Sequence, residues 1–127
     1  MQQARRDLRA AEHLLEGAFA AHATVFAHLA VEKALKALHR AQKGPPPVTH
    51  DLRVLADRID LAPISADRRD AIEALAEVSV LCLYAPDDVF GHPVGNSPAT
   101  ARERVADARL LVGWLRSRVA DRSRAKR

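Results

Sequence analysis

Cysteine, aromatic residues and long apolar runs are scarce in this 127-residue sequence, and each scarcity excludes a class of protein. The single cysteine, Cys82, excludes an intramolecular disulfide and any zinc or iron–sulfur site built from several cysteines. No apolar run approaches the roughly 18 residues that a membrane-spanning helix requires. The opening residues, MQQARR, contain no apolar stretch suited to export, so we expect a cytoplasmic protein without membrane attachment.

Motifs of the common enzyme classes are also missing. The sequence has no glycine-rich phosphate loop, no Gly-x-Ser-x-Gly, no His-Glu-x-x-His and no Cys-x-x-Cys. No two of its six histidines are three or four residues apart, the spacing at which two histidines on one helix face could hold a metal ion. We therefore expect neither a metal ion nor an organic cofactor.

Positive charge is concentrated at the end of the sequence. The chain has 20 Lys and Arg against 16 Asp and Glu, a formal net charge of +4. Residues 116–127 contain six of these basic residues and one carboxylate, so the preceding 115 residues are close to neutral. A basic tail of this kind suits weak, salt-sensitive contact with RNA, although it is more often a solvated helix end.

The composition and the apolar pattern both indicate helices. Alanine, which has the highest intrinsic helix propensity, accounts for 25 residues, and only five residues are aromatic. Apolar residues recur at steps of three and four along two stretches near the start, which predicts helices over 4–22 and 24–42. A short turn between these two long helices would make them antiparallel.

Capping signals predict three further helices. The run KGPPP ends the second helix, and Thr49 is the expected N-cap of the third. Ser65 is the expected N-cap of the fourth, which would continue through Cys82. The fifth begins either at Ser97 with Pro98 or at the capping box over 100–103.

These elements define the expected fold class. No run alternates with period two for long enough to indicate a strand, so we predict an all-α, up-and-down bundle of about five helices. Two long antiparallel helices open it and one long helix closes it. The bundle would occupy residues 4–120 as a single domain, followed by a basic tail over 121–127. Residues 84–97 lose the helical pattern, and a connection of that length in a small bundle is typically functional or disordered.

Two positions have both a structural and a functional interpretation. Glu32 and Lys36 lie four residues apart in the order that favours an ion pair, whereas Lys33 lies in register with the apolar face. Lys33 therefore either pairs with a carboxylate from a neighbouring helix or faces a ligand cleft. His50 follows Thr49 at a helix start, where a histidine more often bonds the backbone than transfers protons.

Several stretches occur together in a characteristic order. Residues 32–38 read EKALKAL, residues 46–52 read PPVTHDL, and a Tyr–Pro–Asp element begins at Tyr84 after the fourth helix. With RDLRAA at 6–11, these stretches resemble the HEPN domain over nearly the whole chain, from about residue 4 to 119. The resemblance implies a small helical bundle, often a homodimer, found in prokaryotic toxin–antitoxin and defence systems. It is often encoded beside a minimal nucleotidyltransferase.

The resemblance also bears on catalysis. Some HEPN relatives are metal-independent ribonucleases with an Arg-x(4–6)-His motif at the dimer cleft, and others are thought only to bind nucleotides. Relatives commonly carry Arg-Tyr-Pro-Asp after the fourth helix, but Leu83 occupies the arginine position here. His92 lies where the family's histidine would and is the candidate catalytic residue. Without that arginine, Lys33, Lys36 or a partner subunit would have to neutralise the charge that develops on phosphorus.

The candidate ligand-binding residues are Glu32, Lys33, Lys36, His50, Tyr84 and Asp87. The resemblance implies a cleft in a homodimer that we expect to be lined by Glu32, Lys33, Lys36, Tyr84, Asp87 and His92. Tyr84 is the single tyrosine, so it is the sole candidate for the tyrosine modification by the partner nucleotidyltransferase that occurs in some relatives. The favoured function is a module that binds a nucleotide or RNA beside a nucleotidyltransferase. A metal-independent ribonuclease toxin with a degenerate site and a non-catalytic oligomerisation scaffold remain open.

Overall fold

The computed structural model describes residues 1–78 and 97–125, and these residues form five α-helices and no strand. The helices are α1 (Gln2–Glu16), α2 (Ala20–Lys43), α3 (Leu52–Asp57), α4 (Ala66–Ala76) and α5 (Pro98–Ala125). The predicted all-α architecture, with two long helices at the start and one at the end, is confirmed. Of the helices in the described ranges, none combines the length and apolarity that crossing a bilayer requires.

The four longer helices alternate in direction, as in an up-and-down bundle. Asp7 of α1 pairs with Lys33 in the second half of α2, so these two helices are antiparallel. His28, near the start of α2, contacts the carbonyl of Leu75 at the end of α4, so α4 opposes α2. The start of α5 lies beside the end of α1, where both line one small cavity. As a result α5 runs in the same direction as α2.

Small side chains allow close approach of the helices in the core. Six fully buried alanines lie on α1 and α2: Ala4, Ala11, Ala23, Ala27, Ala30 and Ala34. Leucines from α2, α3, α4 and α5 supply most of the apolar volume: Leu35, Leu38, Leu52, Leu55, Leu75, Leu111 and Leu115. Apolar residues that recur at steps of three and four along α5 are buried, at Val105, Ala108, Val112 and Leu115, and Val119 continues the series as a partly buried residue.

The boundary between α1 and α2 differs from the sequence prediction. We expected helices over 4–22 and 24–42, but α1 ends at Glu16 and α2 begins at Ala20. The apolar pattern continues at helical spacing across the break. Periodicity alone therefore predicts a longer first helix than the structure contains.

A left-handed residue makes this turn. Ala18 has a φ of 66°, and its amide donates to the carbonyl oxygen of Leu15 at 3.2 Å. The amide of Phe19 donates to the carbonyl oxygen of Leu14 at 2.8 Å. These two hydrogen bonds form a Schellman motif, in which glycine normally occupies the left-handed position. Alanine there hid the helix end from sequence analysis, because alanine favours continuation of a helix.

The predicted cap of the third helix is wrong by two residues. Asp51 is the N-cap of α3, and its side chain accepts a hydrogen bond from the amide of Arg53 at 2.9 Å. Thr49 instead accepts a hydrogen bond from the amide of Asp51 at 3.1 Å, so it orders the turn that leads into the helix. Both residues are good capping types, and the sequence does not distinguish them.

The other two helix starts are confirmed. Ser65 accepts a hydrogen bond from the amide of Arg68 at 3.2 Å, and Ser97 accepts one from the amide of Thr100 at 3.0 Å with Pro98 in the first helical position. The fourth helix ends earlier than predicted, because α4 stops at Ala76 with Glu77 as its C-cap, whereas we expected it to continue through Cys82. Residues 79–82 of that expected extension lie outside the described residues. The division into a domain over 4–120 and a tail stays a prediction, although α5 continues to Ala125.

One arginine ties α5 to the loop between α3 and α4. The guanidinium of Arg118 donates to the carbonyl oxygens of Asp60, Leu61 and Ala62 at 3.1, 3.4 and 3.1 Å. The same guanidinium lies 5.6 Å from the ring centroid of Trp114, a cation–π arrangement. This contact fixes the end of the bundle where α3 and α4 meet α5.

We expect Ala18→Gly to raise the free energy of unfolding by about 0.5–1 kcal/mol, because glycine adopts the left-handed conformation without the steric penalty of Cβ. Ala106→Gly, at an exposed position inside α5, is the matched control and should lower it by about 1 kcal/mol. Urea denaturation of both variants measures the difference. Destabilisation by both substitutions would contradict the left-handed assignment.

Candidate functional site

A buried carboxylate on α2 gathers three basic side chains. The carboxylate of Glu32 is only 5% exposed, and it accepts hydrogen bonds from Lys36 Nζ at 3.1 Å and His50 Nδ1 at 2.9 Å. His28 Nε2 lies 3.7 Å from the same carboxylate. His28, Glu32 and Lys36 share one helix face because they are four residues apart, while His50 comes from the segment before α3.

The surroundings of the His28 ring favour its doubly protonated form, the imidazolium. Its Nδ1 lies 2.9 Å from the carbonyl oxygen of Leu75, and its Nε2 lies 3.2 Å from the carbonyl oxygen of His50. Carbonyl oxygens only accept hydrogen bonds, so both ring nitrogens must carry a proton for both contacts to form. The nearby Glu32 carboxylate compensates the resulting charge.

The protonation states of this cluster follow from its hydrogen bonds. Burial alone would raise the pKa of Glu32, but the nearby His28 ring and hydrogen bonds from His50 and Lys36 outweigh it and lower the pKa from 4.5 to about 2. Burial would likewise lower the pKa of His28. Contacts with Glu32 and with the carbonyls of Leu75 and His50 reverse this effect, so its pKa is raised above 6.5. The cluster therefore favours the ionised form of Glu32 and the protonated form of His28.

His50 is the accessible member of the cluster. Its side chain is 80% exposed, whereas the carboxylate that it contacts is buried. When Nδ1 donates to Glu32, Nε2 is the remaining ring nitrogen for a hydrogen bond or a proton transfer. A carboxylate that fixes the orientation of an accessible imidazole is an arrangement suited to acid–base chemistry.

Lys33 pairs with a carboxylate from a neighbouring helix, which was one of the two alternatives that the sequence left open. Its Nζ lies 2.5 Å from a carboxylate oxygen of Asp7, so an ion pair joins α2 to α1. The Lys33 side chain nevertheless remains 37% exposed, whereas that of Asp7 is 14% exposed. The ammonium group has three donors, and one carboxylate contact leaves the others available to a ligand.

A cavity of about 460 Å³ opens between the start of α1 and the second half of α2. Its lining residues are Met1, Gln2, Gln3, Ala4, Glu32, Lys33, Lys36 and Arg40. No side chain caps the first turn of α1, and no acidic residue lies in it, so its amide groups point their partial positive charge at the cavity end. Three cationic side chains and a helix N-terminus thus surround the same space, with Glu32 as the lining carboxylate.

The structure brings together four of the predicted site residues. Glu32, Lys33 and Lys36 line the cavity, and His50 binds Glu32 directly. The remaining candidates, Tyr84, Asp87 and His92, lie outside the described residues, so their place beside this site stays a prediction. Within residues 1–78 and 97–125, no group of three His, Cys, Asp or Glu side chains could hold a metal ion.

Sequence analysis missed His28, Arg40 and Asp7 as members of the site. The sequence did contain a signal for His28, because it precedes Glu32 by four residues, as Glu32 precedes Lys36. Arg40 likewise follows Lys36 at helical spacing. For Asp7 no local signal existed, since its contact with Lys33 depends on how α1 packs against α2.

The described residues form a small all-α helical bundle with an ionic cluster on its second helix. The sequence matches the HEPN domain family over residues 1–118, and the chain belongs to that family. Its fold is similar to that of TT1696 from Thermus thermophilus, with 25% sequence identity and a TM-score of 0.75. That match covers 92% of this chain and 93% of TT1696. None of the proteins with curated descriptions matches the chain.

We expect Glu32→Gln to lower the free energy of unfolding by about 3 kcal/mol, because it leaves the imidazolium of His28 buried without its anion. Glu73→Gln, which removes an exposed carboxylate from its ion pair with Arg53, is the matched control and should change stability by less than about 1 kcal/mol. Thermal and urea unfolding measure both. Equal effects would show that the cluster is no more than a surface ion pair.

We expect the free energy of unfolding to fall both at low pH, through Glu32, and at higher pH, through His28. The contribution of Glu32 is complete above pH 4.5 and is lost as the pH falls toward its folded pKa of about 2. The contribution of His28, whose folded pKa is raised, is complete below pH 6.5 and is lost as the pH rises through the folded value. Urea unfolding across this range tests both effects. Nitrogen NMR at about pH 6 should show two protonated ring nitrogens for His28, and a single neutral tautomer would contradict the assignment.

Proposed function

We propose that this protein is a HEPN module that binds the phosphate groups of a nucleotide or an RNA and acts with a nucleotidyltransferase partner. The cavity between α1 and α2 carries the proposal, because Lys33, Lys36 and Arg40 line it together with the uncapped first turn of α1. Cationic side chains and free helix amides are the groups that recognise phosphate oxygens.

The arrangement of charge favours an anion over a neutral ligand. Lys33 and Lys36 are oriented by Asp7 and Glu32, so their ammonium groups are held in place before a ligand arrives. Arg40 is exposed and, among the described residues, forms no ion pair, so its planar guanidinium is available for a bidentate phosphate contact. Three cations against two oriented carboxylates leave the site positive.

The family supports the partner and the biological setting of the proposal. HEPN domains are commonly paired with a nucleotidyltransferase, and the match to the family covers residues 1–118. The proposal accordingly assigns the protein to a toxin–antitoxin or defence system, as a homodimer associated with such an enzyme. Co-purification with a nucleotidyltransferase encoded beside it, and the mass of the resulting complex, test both parts of this assignment.

The contact between Glu32 and His50 favours ribonuclease activity as a second candidate function. Metal-free cleavage of RNA needs a base for the 2′-hydroxyl, an acid for the leaving oxygen and a cation near phosphorus. His50 is accessible and oriented, and Lys36 shares its carboxylate. RNA cleavage in EDTA that His50→Ala or His92→Ala abolishes would establish this function. Intact RNA under the same conditions would exclude it.

We expect the protein to bind ATP, with Arg40→Gln weakening the affinity roughly tenfold, because the substitution removes one charge-assisted phosphate contact. Arg116→Gln is the matched control: it removes an equal charge from an exposed position of α5 that does not line the cavity. Titration calorimetry at two salt concentrations measures both. Equal weakening by the two substitutions would contradict a localised site, and no binding of ATP or short RNA would favour an oligomerisation scaffold.

A further inference from the structure

A second cationic cavity lies beyond the first, at the far end of α2. It has a volume of about 500 Å³, and its lining comes from the ends of α2, α3 and α5. The lining residues are Gln42, Lys43, Asp57, Arg58, Ile59, Asp60 and Arg122. Three elements that are distant in sequence each contribute one cation to this space.

The frame of this second cavity is fixed by hydrogen bonds. The side-chain amide of Gln42 donates to the carbonyl oxygen of Asp60 at 2.9 Å, and its oxygen accepts from the amide of Asp60 at 2.8 Å. This double contact holds the end of α2 against the segment after α3. Arg118, one helical turn before Arg122, is anchored to the same segment. The cavity is therefore built on constrained backbone.

The cations of the second cavity are not neutralised by direct ion pairs. Within the described part of the chain, no salt bridge involves Lys43, Arg58 or Arg122, although Asp57 and Asp60 also line the space. The carboxylate of Asp60 accepts a hydrogen bond from the amide of Ala62 at 3.0 Å. With three cations and two carboxylates, the cavity has an excess of one positive charge. Such a charge suits weak binding of a single phosphate group, which contacts in the first cavity would reinforce.

A stripe of basic residues on α2 joins the two cavities. Lys33, Lys36, Arg40 and Lys43 follow one another at steps of three, four and three, so they share one face of the helix. The first three line the first cavity, and Lys43 lines the second. Ten residues at a rise of about 1.5 Å separate the ends of the stripe by about 15 Å.

We infer that the two cavities and the stripe form one track for a single-stranded oligonucleotide, whose phosphates occupy both cavities at once. This inference rests on the proposed function of the first cavity and adds the class of ligand. At about 3.4 Å per phosphate along a stacked strand, 15 Å corresponds to about four phosphates. A mononucleotide fills one cavity, whereas a strand of more than about four nucleotides reaches the second.

The test compares short and long strands on two double variants. Fluorescence anisotropy measures binding of a 5′-phosphorylated dinucleotide and of an oligonucleotide of about eight residues, each as RNA and as DNA. Arg58→Gln with Arg122→Gln removes two cations from the second cavity. Arg9→Gln with Arg116→Gln, at exposed positions outside both cavities, removes the same charge.

We expect the first double variant to weaken binding of the longer strand roughly tenfold and to lower its salt slope by about 0.7 for each phosphate that is no longer neutralised. Binding of the dinucleotide should not change, and the control pair should affect neither strand. Weaker binding of both RNA and DNA assigns the track to phosphate recognition, and weaker binding of RNA alone adds recognition of the 2′-hydroxyl.

Two results would overturn the inference. Unchanged binding of the longer strand to the first double variant would show that the strand does not reach the second cavity. Equal weakening by the control pair would show that net charge alone is responsible. Failure of the proposed function is distinguishable, because in that case Arg40→Gln leaves binding of the dinucleotide intact. The thermal unfolding midpoint of every variant, measured in parallel, confirms that the bundle is folded.

Discussion

The bundle depends on the buried carboxylate of Glu32. The carboxylate binds His50 in the segment before α3. It also lies beside His28, whose ring contacts the carbonyl oxygen of Leu75 at the end of α4. Removing a carboxylate from water is unfavourable, so the anion is tolerated only where several donors surround it. A shift of either segment relative to α2 would leave one of these buried groups without a hydrogen-bond partner. The cluster therefore adds directional contacts to the apolar packing of α3 and α4 on α2.

The structural contacts of the lysines are compatible with the ligand binding that we propose for them. Lys33 joins α1 to α2 through Asp7, and Lys36 shields Glu32, yet both also line the cavity. An ammonium group that already has a carboxylate partner loses less side-chain entropy when a phosphate binds, since its position is partly set beforehand. The ion pairs of Lys33 and Lys36 would thus also preorganise the cations of the proposed site.

Sequence reasoning predicted the helices well and their exact ends less well, for a physical reason. Burial imposes a repeat on apolar residues, which predicted the two long opening helices, and capping residues predicted the other three. The turn at Ala18 could not be predicted, because a hydrogen-bonded left-handed alanine leaves no compositional signal. Within the site, contacts along one helix, such as Glu32 with Lys36, follow from spacing. Contacts between elements, such as Asp7 with Lys33, cannot be predicted without knowing how the helices pack against each other.

The same distinction applies to the basic end of the sequence, whose role in the structure differs from what its composition suggests. Composition alone describes residues 116–127 as a charged tail beside a nearly neutral body. Because α5 continues to Ala125 and runs in the same direction as α2, its last turns reach the end of α2. Arg122 then adds its charge to that of Lys43 instead of extending into solvent alone. The shared direction of α2 and α5 thus brings basic residues of two segments that are distant in sequence to the same cavity, which no local property of either segment indicates.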